Sequence, residues 1–394
     1  MGPGPVNAHP RVLRAMSADM LGQFDPEMTE YMNQVMALYR PVFGTTNVWT
    51  MLVDGTARAG IEAALVSLIA PGEVALVVNF GRFGLLLQEI LTRIGARFET
   101  VDAPWGEIVP MEAIADAAHR VQPKVICAVH GDTSTTMAQP LDGIGAIARE
   151  IGALVYVDAT ATIGGMEIAT DRWGVDVVTG GLQKCLGGPS GSSPITISDA
   201  AAEFVLQRRH VEKGIARDDI LNGHGVTIGS NYFDLAMIMG YWSPKRLNHH
   251  TEATTMLYGA RECARVALGE GLSARFARHA AAGRAMTAGL RAMQLRVFGD
   301  DAHRMTNVTG VWIPDGVDGD RVRVMMRDAF QIEIGTAFGP LQGRIWRLGA
   351  MGYNAMKHKV LITLSALEAC LRAEGFSLPS GEAMPAAMTA WEAA

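Results

Sequence analysis

A lysine and an aspartate stand at positions where the chain could use them for chemistry. Lys184 follows a short apolar strand at 175–178, and the Gly/Pro/Ser loop after it leaves little bulk around the amine. Asp158 ends a second apolar run, Leu154–Asp158, which is typical of a buried strand. Ligands of a parallel α/β sheet bind outside the carboxyl ends of its strands. Two neighbouring strands would therefore bring both side chains to one crevice.

This pair of side chains fits the chemistry of pyridoxal phosphate. The lysine amine can form a Schiff base with the aldehyde of the cofactor. The carboxylate can keep the pyridine nitrogen protonated, so that the ring accepts electrons. The alternative, from these two residues alone, is a surface lysine that follows a glycine turn.

Length and composition restrict the class of protein. A chain of 394 residues exceeds one ordinary hydrophobic core, which predicts two domains. A net charge of −6 without a basic run argues against a nucleic-acid partner. The 4 cysteines lack Cys-x-x-Cys spacing, so neither a zinc site nor a disulfide framework is indicated. Because no signal-peptide or membrane-span pattern stands out, we expect a cytoplasmic protein without a membrane partner.

Strands and helices alternate through the first half of the chain, which predicts parallel strands joined by right-handed crossovers. The strand patterns lie at 74–79, 97–101 and 125–130, and the helical patterns at 84–94, 110–119 and 144–151. From about residue 282 the pattern changes to α+β. Strand-like runs there are 294–298, 305–313, 332–334 and 344–348, with helices near 320–329 and 357–373.

These patterns predict an α/β protein with three parts. Residues 1–20 form an N-terminal segment that lines the active site, 21–270 a large cofactor-binding domain, and 271–394 a smaller α+β domain. Residues 201–224 are charged and then glycine-rich, and we expect a mobile or site-covering segment there.

Other polar and aromatic residues follow the predicted strands. Thr56 and Arg58 open a helix, where free N–H groups, a hydroxyl and a guanidinium would form a phosphate cradle. Phe83 lies where an aromatic side chain could cover a flat ring, and Thr133 offers a hydroxyl at the same sheet edge. Each has an ordinary alternative: a βα turn, a core phenylalanine and a polar turn.

Seven stretches in chain order resemble the class V aminotransferases of the fold-type-I pyridoxal phosphate enzymes. This group includes alanine–glyoxylate and serine–glyoxylate aminotransferases. The stretches are Gly2-Pro3-Gly4-Pro5, Asp54-Gly55-Thr56-Ala57-Arg58, His130-Gly131-Asp132-Thr133-Ser134-Thr135, Val157-Asp158-Ala159, Gly181-Leu182-Gln183-Lys184, Asn248-His249-His250-Thr251 and Arg347-Leu348-Gly349. The resemblance implies a mostly parallel sheet flanked by helices, followed by a smaller α+β domain.

The same resemblance implies roles for the matching positions. Lys184 would carry the cofactor and Asp158 would pair with its pyridine nitrogen. Phe83 would stack on the ring, in a place often held by tryptophan, and Thr133 would lie near the cofactor O3′. The phosphate would be bound by Thr56, Ala57, Arg58, Gln183 and, across a homodimer with shared active sites, Thr251.

The substrate residues are predicted partly from departures from the family pattern. Arg347 would bind the α-carboxylate of the substrate. Asn248 replaces a tyrosine that is common in relatives, which points to an unusual substrate, and Thr136 replaces a usual glycine. Because amides both donate and accept, we expect Gln23 and Asn248, one from each subunit, to bind a planar uncharged group of the amino donor. The alternatives are that Gln23 is solvated and that Asn248 caps its helix.

The sequence thus predicts an aminotransferase that uses glyoxylate as amino acceptor. Cysteine desulfuration, a different reaction, needs a mobile nucleophilic cysteine, and none of the four is obviously so placed. A non-catalytic protein that binds the cofactor is a third interpretation. His249 and His250 are predicted to pack and cap a helix at 248–266 rather than to bind a metal, because no third ligand stands at metal spacing.

Replacing Lys184 by alanine tests the cofactor assignment. We expect the purified protein to be yellow, and Lys184→Ala to abolish both borohydride trapping of the cofactor and multiple turnover, since no other lysine is similarly flanked. Lys213→Ala, which changes a lysine outside the family-like stretches, is the control and should leave both properties intact. Wild-type cycling by Lys184→Ala would show that the assignment is wrong.

Overall fold

The computed structural model describes residues 1–215 and 222–393. Part of the predicted covering segment, residues 216–221, lies outside the described residues, while its beginning belongs to a helix at Asp199–Gln207. Within the described ranges, no helix is both long and apolar enough to cross a bilayer.

A seven-stranded sheet forms the centre of the large α/β unit. In chain order its strands and those of a small two-stranded sheet are β1 (Trp49–Asp54), β2 (Val74–Asn79), β3 (Arg97–Asp102), β4 (Val125–Val129), β5 (Gly131–Asp132), β6 (Met137–Ala138), β7 (Leu154–Asp158), β8 (Val177–Thr179) and β9 (Ser192–Ile197). The order across the large sheet is β1-β9-β8-β7-β4-β2-β3. Strands β8, β7, β4, β2 and β3 run parallel to one another. Strand β9 runs antiparallel to both of its neighbours, β1 and β8. The predicted mostly parallel sheet is confirmed.

The burial of the central strands explains their sequences. Every residue of β4 and of β9 is buried, as expected where helices cover both faces of a sheet and the strands become continuous apolar runs. The covering helices are α1 (Pro10–Met16), α2 (Pro26–Phe43), α3 (Ala57–Leu68), α4 (Arg82–Ile94), α5 (Met111–Val121), α6 (Ile144–Glu150), α7 (Thr170–Trp173), α8 (Asp199–Gln207), α9 (Leu235–Trp242) and α10 (Thr254–Glu270).

The helix predicted to open at Asn248 begins later, at Thr254. Residues 248–253 instead run irregularly against the end of β1, where the Ala253 amide donates to Asp54 Oδ2 over 3.0 Å. The Asp54 side chain thus accepts the hydrogen bond of a backbone N–H that would otherwise donate within a helix. Asn248 lies too far from the helix start to cap it.

The C-terminal part has an antiparallel sheet and its own apolar core. Its elements are α11 (Leu272–Ala292), β10 (Val308–Trp312), α12 (Gly319–Phe330), β11 (Gly335–Thr336), β12 (Ile345–Gly349), α13 (Lys357–Ala373) and α14 (Ala383–Glu392), with strand order β10-β12-β11. Residues 294–298 do not form the predicted strand; they contribute a single bridge between Val297 and Val311. The left-handed conformation of Gln294, with φ of 59°, turns the backbone there.

Two apolar cores lie on either side of the α10–α11 junction. The first surrounds the large sheet and ends at Ala264, and the second runs from Ala282 to Ala387. The domain limits at 20 and 270 stay a prediction, and this separation of the cores supports the second of them.

Thr136 stands where the family pattern given in the sequence analysis has glycine, and its backbone conformation is one that glycine adopts easily. Its φ is 59°, in the left-handed region that is unfavourable for a β-branched side chain. Its amide donates to the Asp132 carbonyl over 2.8 Å, and this hydrogen bond closes the turn after β5.

Candidate active site

The pairing of two strands brings Asp158 and Lys184 together. Strands β7 and β8 are parallel neighbours, with Asp158 opposite Thr179. The chain then turns through Gly180 and Gly181 into a single π-helical turn, Leu182–Leu186, which carries Lys184. Both side chains border a cavity of about 300 Å³ outside the carboxyl ends of the strands. The structure therefore places them in one crevice, as the sequence predicts.

The side chain of Lys184 is partly buried, and its amine is directed at the N-terminal segment. Nζ donates to the carbonyl of Pro3 over 2.5 Å. Burial and, to a smaller extent, the positive charge of Arg347 lower the pKa of Lys184 to about 8, although the charge of Asp158 acts in the opposite direction. Because an amine acts as a nucleophile only when neutral, this shift favours the reactive form near neutral pH.

Asp158 is buried at the base of the same cavity. Its Oδ1 accepts a hydrogen bond from the Thr160 amide over 2.9 Å. Burial raises the pKa of Asp158, and the hydrogen bonds from Thr160 and the charge of Lys184 act in the opposite direction. A carboxylate in this environment gains from a cationic partner, which a protonated pyridine nitrogen would supply.

The start of α3 forms one wall of the cavity. Thr56 is the N-cap residue and makes no side-chain capping bond, and Ala57 and Arg58 follow it. The first N–H groups of a helix lack intrahelical partners and attract anions. Gln183 reaches the same cavity with a buried Oε1 that has no hydrogen-bond partner among the described residues. These groups fit a phosphate and a polar cofactor.

Phe83 and Thr133 border the cavity beside Asp158. Phe83 belongs to the first turn of α4, and Thr133 follows β5 directly. An aromatic face, a hydroxyl and a carboxylate around one space match the donor set that a pyridine ring with a phenolic oxygen requires. The residues present therefore fit pyridoxal phosphate.

Arg347 does not border this cavity. It lies on β12, where its Nε donates to Thr336 O over 2.7 Å and one terminal nitrogen donates to Thr133 O over 2.6 Å. The Phe338 ring covers the guanidinium at 4.8 Å. Burial lowers the pKa of Arg347 to about 10, although Asp132 opposes that change. The side chain is thus held in one orientation, and its Nη2 has no hydrogen-bond partner among the described residues.

Gln23 and Asn248 meet within one chain, away from the cavity. Gln23 Nε2 donates to Asn248 Oδ1 over 3.2 Å and to the carbonyl of His250 over 3.0 Å. The expectation that the two amides come from different subunits is wrong, because this contact joins them in the same subunit. The interpretation of Gln23 as merely solvated is wrong as well. Thr251, on the same segment, is exposed and does not border the cavity of its own chain.

Asp54 anchors the segment that carries these residues. His250 Nε2 lies 3.2 Å from Asp54 Oδ2, the atom that also accepts the Ala253 amide. Glu252 completes a group whose possible metal-ligating atoms lie within 4.8 Å of one another. The sequence indicated no third metal-ligand candidate beside His249 and His250, because Asp54 lies at the end of β1, far away in the chain. Burial raises the pKa of Glu252 to about 8, so this carboxyl adds little negative charge beside Asp54 near neutral pH.

Sequence reasoning missed several residues that shape the site. They are Asp54, Asp132, Thr160 and the carbonyl of Pro3. Asp54 and Asp132 stood inside the family-like stretches without an assigned role, and the Gly-Pro repeat at the N-terminus was the signal for the Pro3 contact. All four cysteines are buried, so none has the exposed position that a desulfurase nucleophile needs.

The chain matches the family described as aminotransferase class-V over residues 12–340. The protein belongs to the class V aminotransferases and is a pyridoxal phosphate-dependent aminotransferase. It is 48% identical over 395 aligned residues to the (S)-ureidoglycine–glyoxylate transaminase of Bacillus subtilis. The alignment covers 100% of this chain and 95% of the relative.

Two further comparisons set this similarity in context. A crystal structure of the ureidoglycine–glyoxylate aminotransferase from Bacillus subtilis superposes with a TM-score of 0.94 at 46% identity, covering 100% of this chain and 97% of that one. The alanine–glyoxylate aminotransferase of Drosophila melanogaster is 33% identical, covering 94% of this chain and 92% of the relative.

Placing a methyl group at Gly4 tests the contact between the N-terminal segment and Lys184. Gly4 has a φ of 94°, and an added Cβ would lie 2.5 Å from Lys184 Cδ and 2.6 Å from Nζ. Gly4→Ala must therefore displace the amine. Because misplacing a reacting group by about 1 Å can cost about 100-fold in rate, we expect kcat/KM to fall by about one to two decades.

The matched control for Gly4→Ala is Gly22→Ala, because no heavy atom lies within 4 Å of a Cβ built there. Steady-state kinetics and borohydride trapping should match the wild type in the control. If Gly4→Ala behaved like the control, the observed packing of Gly4 against Lys184 would be unimportant for turnover.

Proposed function

We propose that the protein is an (S)-ureidoglycine–glyoxylate aminotransferase. It would transfer the amino group of ureidoglycine to glyoxylate, giving glycine and oxalurate, as a step of purine catabolism. The observation that carries this proposal is the full-length similarity to a transaminase of that name, at 48% identity against 33% for an alanine–glyoxylate aminotransferase. Alanine–glyoxylate or serine–glyoxylate transfer is the alternative.

Different residues of the chain would have different roles in the reaction. The cofactor supplies an aldehyde and an electron-accepting ring when it is bound. Asp158 would hold a proton on the ring nitrogen, since its buried carboxylate needs a cationic partner. Lys184, whose pKa is lowered to about 8, can accept and return a proton at Nζ within the crevice. Two half-reactions in turn, with donor and then glyoxylate, would give ping-pong kinetics.

The proposed binding residues follow from the cavity and its surroundings. Thr56, Ala57, Arg58 and Gln183 would bind the cofactor phosphate, Phe83 would cover the ring, and Thr133 would lie near O3′. Arg347 would bind the substrate carboxylate through Nη2, because carbonyl oxygens already hold its Nε and its other terminal nitrogen. A guanidinium held in this way loses little conformational freedom on binding.

We also propose a homodimer in which one subunit completes the site of the other. Thr251 is exposed, and Gln23 and Asn248 lie beside it without bordering their own cavity. The contact with Asp54 holds this segment in a defined position, as a contribution to a neighbouring site requires. Thr251 of the partner subunit would join the phosphate ligands. The Gln23–Asn248 pair would face the ureido group, whose carbonyl and N–H groups match two amides.

The location of the protein is proposed as cytoplasmic. All four cysteines are unpaired, which is usual where thiols are kept reduced.

Subunit mixing tests the shared site. Lys184→Ala and Asn248→Ala are each expected to have little ureidoglycine activity. Equimolar exchange of the two should restore activity at about a quarter of the sites, because random pairing makes half of the dimers mixed. Each mixed dimer would combine a wild-type lysine with a wild-type asparagine from the other chain. No recovery after verified exchange, or full activity in a sedimenting monomer, would refute the proposal.

Comparison of amino donors tests the specificity. Losing a buried partner for a polar substrate group costs about 1–3 kcal/mol, so Gln23→Ala and Asn248→Ala should each lower kcat/KM for ureidoglycine by about one to two decades. Transfer from alanine to glyoxylate should change little. Equal losses for both donors, or none, would contradict the role of the amide pair. Efficient wild-type use of alanine with no use of ureidoglycine would favour the alternative function.

A further inference from the structure

The carboxylate of Asp132 is a completely buried acidic group without a role in the scheme above. It ends β5, between the backbone of His130 and the cavity-lining Thr133. Isolated buried carboxylates are unfavourable, and proteins retain them where hydrogen bonds or charges compensate. Its partners therefore indicate what it does.

Both oxygens of Asp132 bind the start of helix α4 or the turn beside it. Oδ2 accepts the Phe83 amide over 2.8 Å. Oδ1 accepts the amide of Ser134 over 2.8 Å and its hydroxyl over 2.6 Å. Ser134 Oγ in turn accepts the amide of Arg82 over 2.9 Å. The first two amides of α4 are thus capped by side chains from a segment about fifty residues away.

Gly81 makes this long-range cap sterically feasible. It is the N-cap residue of α4 and offers no side chain of its own. A Cβ at this position would lie 2.4 Å from Asp132 Oδ2 and 2.9 Å from Ser134 Oγ. The absence of a side chain at Gly81 lets the carboxylate approach the helix start, where a negative charge is favoured.

Asp132 also connects the cofactor cavity to the arginine. Thr133, its neighbour in sequence, borders the cavity, and the Thr133 carbonyl accepts a hydrogen bond from Arg347. Asp132 and Arg347 attract each other electrostatically. Phe83, Thr133 and Arg347 come from three distant parts of the chain. Asp132 accepts the amide of Phe83, precedes Thr133 in the sequence and attracts the charge of Arg347, so it can influence the positions of all three.

We propose that Asp132 is a positioning residue, which sets the Phe83 ring over the cofactor and, through the Thr133 turn, orients Arg347. The first part depends only on cofactor binding. The second part rests on the proposed function, because it assumes that Arg347 binds the substrate carboxylate. Burial raises the pKa of Asp132, and the three donors and Arg347 counteract that rise.

Asp132→Asn tests this role with little change in volume. An amide can accept at one position only, so the amide of Phe83 or the Ser134 donors would face an NH₂ group. Borohydride trapping at Lys184 should persist, which shows that the cofactor still enters. The visible circular dichroism of the bound cofactor should fall, and its dissociation constant should rise about tenfold. The KM of the amino donor should rise more than kcat falls.

Asp176→Asn is the matched control. Asp176 likewise accepts a backbone amide, from Val155 over 2.8 Å, and a serine hydroxyl, from Ser198 over 2.8 Å, but neither of these partners borders the cavity, whereas Phe83 does. Asp176→Asn should lower the thermal stability about as much as Asp132→Asn does. It should leave the cofactor dichroism, the cofactor affinity and the KM of the amino donor unchanged. If both variants show the same cofactor dichroism and affinity as the wild type, Asp132 is a structural residue only and the proposal fails.

Ser134→Ala provides a second variant if Asp132→Asn does not fold. It removes one donor to Asp132 and the cap of Arg82, and should change the dichroism in the same direction but less. Altered dichroism with an unchanged KM would overturn the Arg347 part alone. Failure of the wild type to use ureidoglycine would refute the proposed function without affecting the dichroism or affinity results, and alanine would then serve as donor for the KM comparison.

Discussion

The active site depends on the parallel pairing of β7 with β8. This register puts Asp158 opposite Thr179, and the two strands end at the same edge of the sheet. The chain continues from β8 through Gly180 and Gly181 into the short turn Leu182–Leu186, which is kinked at Lys184 and brings this side chain to the same cavity. A shift of the pairing by one residue would send these side chains to the other face of the sheet. Apolar packing on both faces of the neighbouring strands stabilises the observed register.

Burial of charged groups is the second constraint on the site. Lys184 and Asp158 border the cavity, while Arg347 and Asp132 are buried next to the turn at Thr133, so that two acidic and two basic groups lie largely out of solvent. Desolvation lowers the pKa values of the two bases and raises those of the two acids, while the attraction between opposite charges limits both changes. The N-terminal segment contributes by placing the Pro3 carbonyl on the amine and Gly4 against its methylene groups. An amine with a pKa near 8 is the chemical consequence that matters for the reaction.

The departures from the family pattern have different physical consequences. Thr136 adopts a left-handed backbone conformation that glycine would adopt more easily, in the turn beside Asp132. Asn248 lies on an irregular segment outside the sheet, where its contact with Gln23 does not affect the core.

Much of the fold and of the cofactor site was determined by the sequence alone. The apolar runs and their alternation with helical patterns predicted the parallel sheet, because burial on both faces leaves a recognisable local pattern. Lys184, Asp158, Phe83 and Thr133 could be chosen because each follows a strand, and strand ends meet at one edge of a parallel sheet. Local patterns of this kind depend on residues that are close in sequence.

Contacts between distant segments were decided by the tertiary structure alone. The start of α10 depends on Asp54, nearly two hundred residues away, and the cap of α4 depends on Asp132. The meeting of Gln23 with Asn248 in one subunit likewise follows from the packing of the N-terminal region against α10. No periodic pattern in the sequence identifies the hydrogen-bond partner of a carboxylate or an amide. Which donor it binds is set by the folded backbone, and this is why the sequence could propose these residues without placing them.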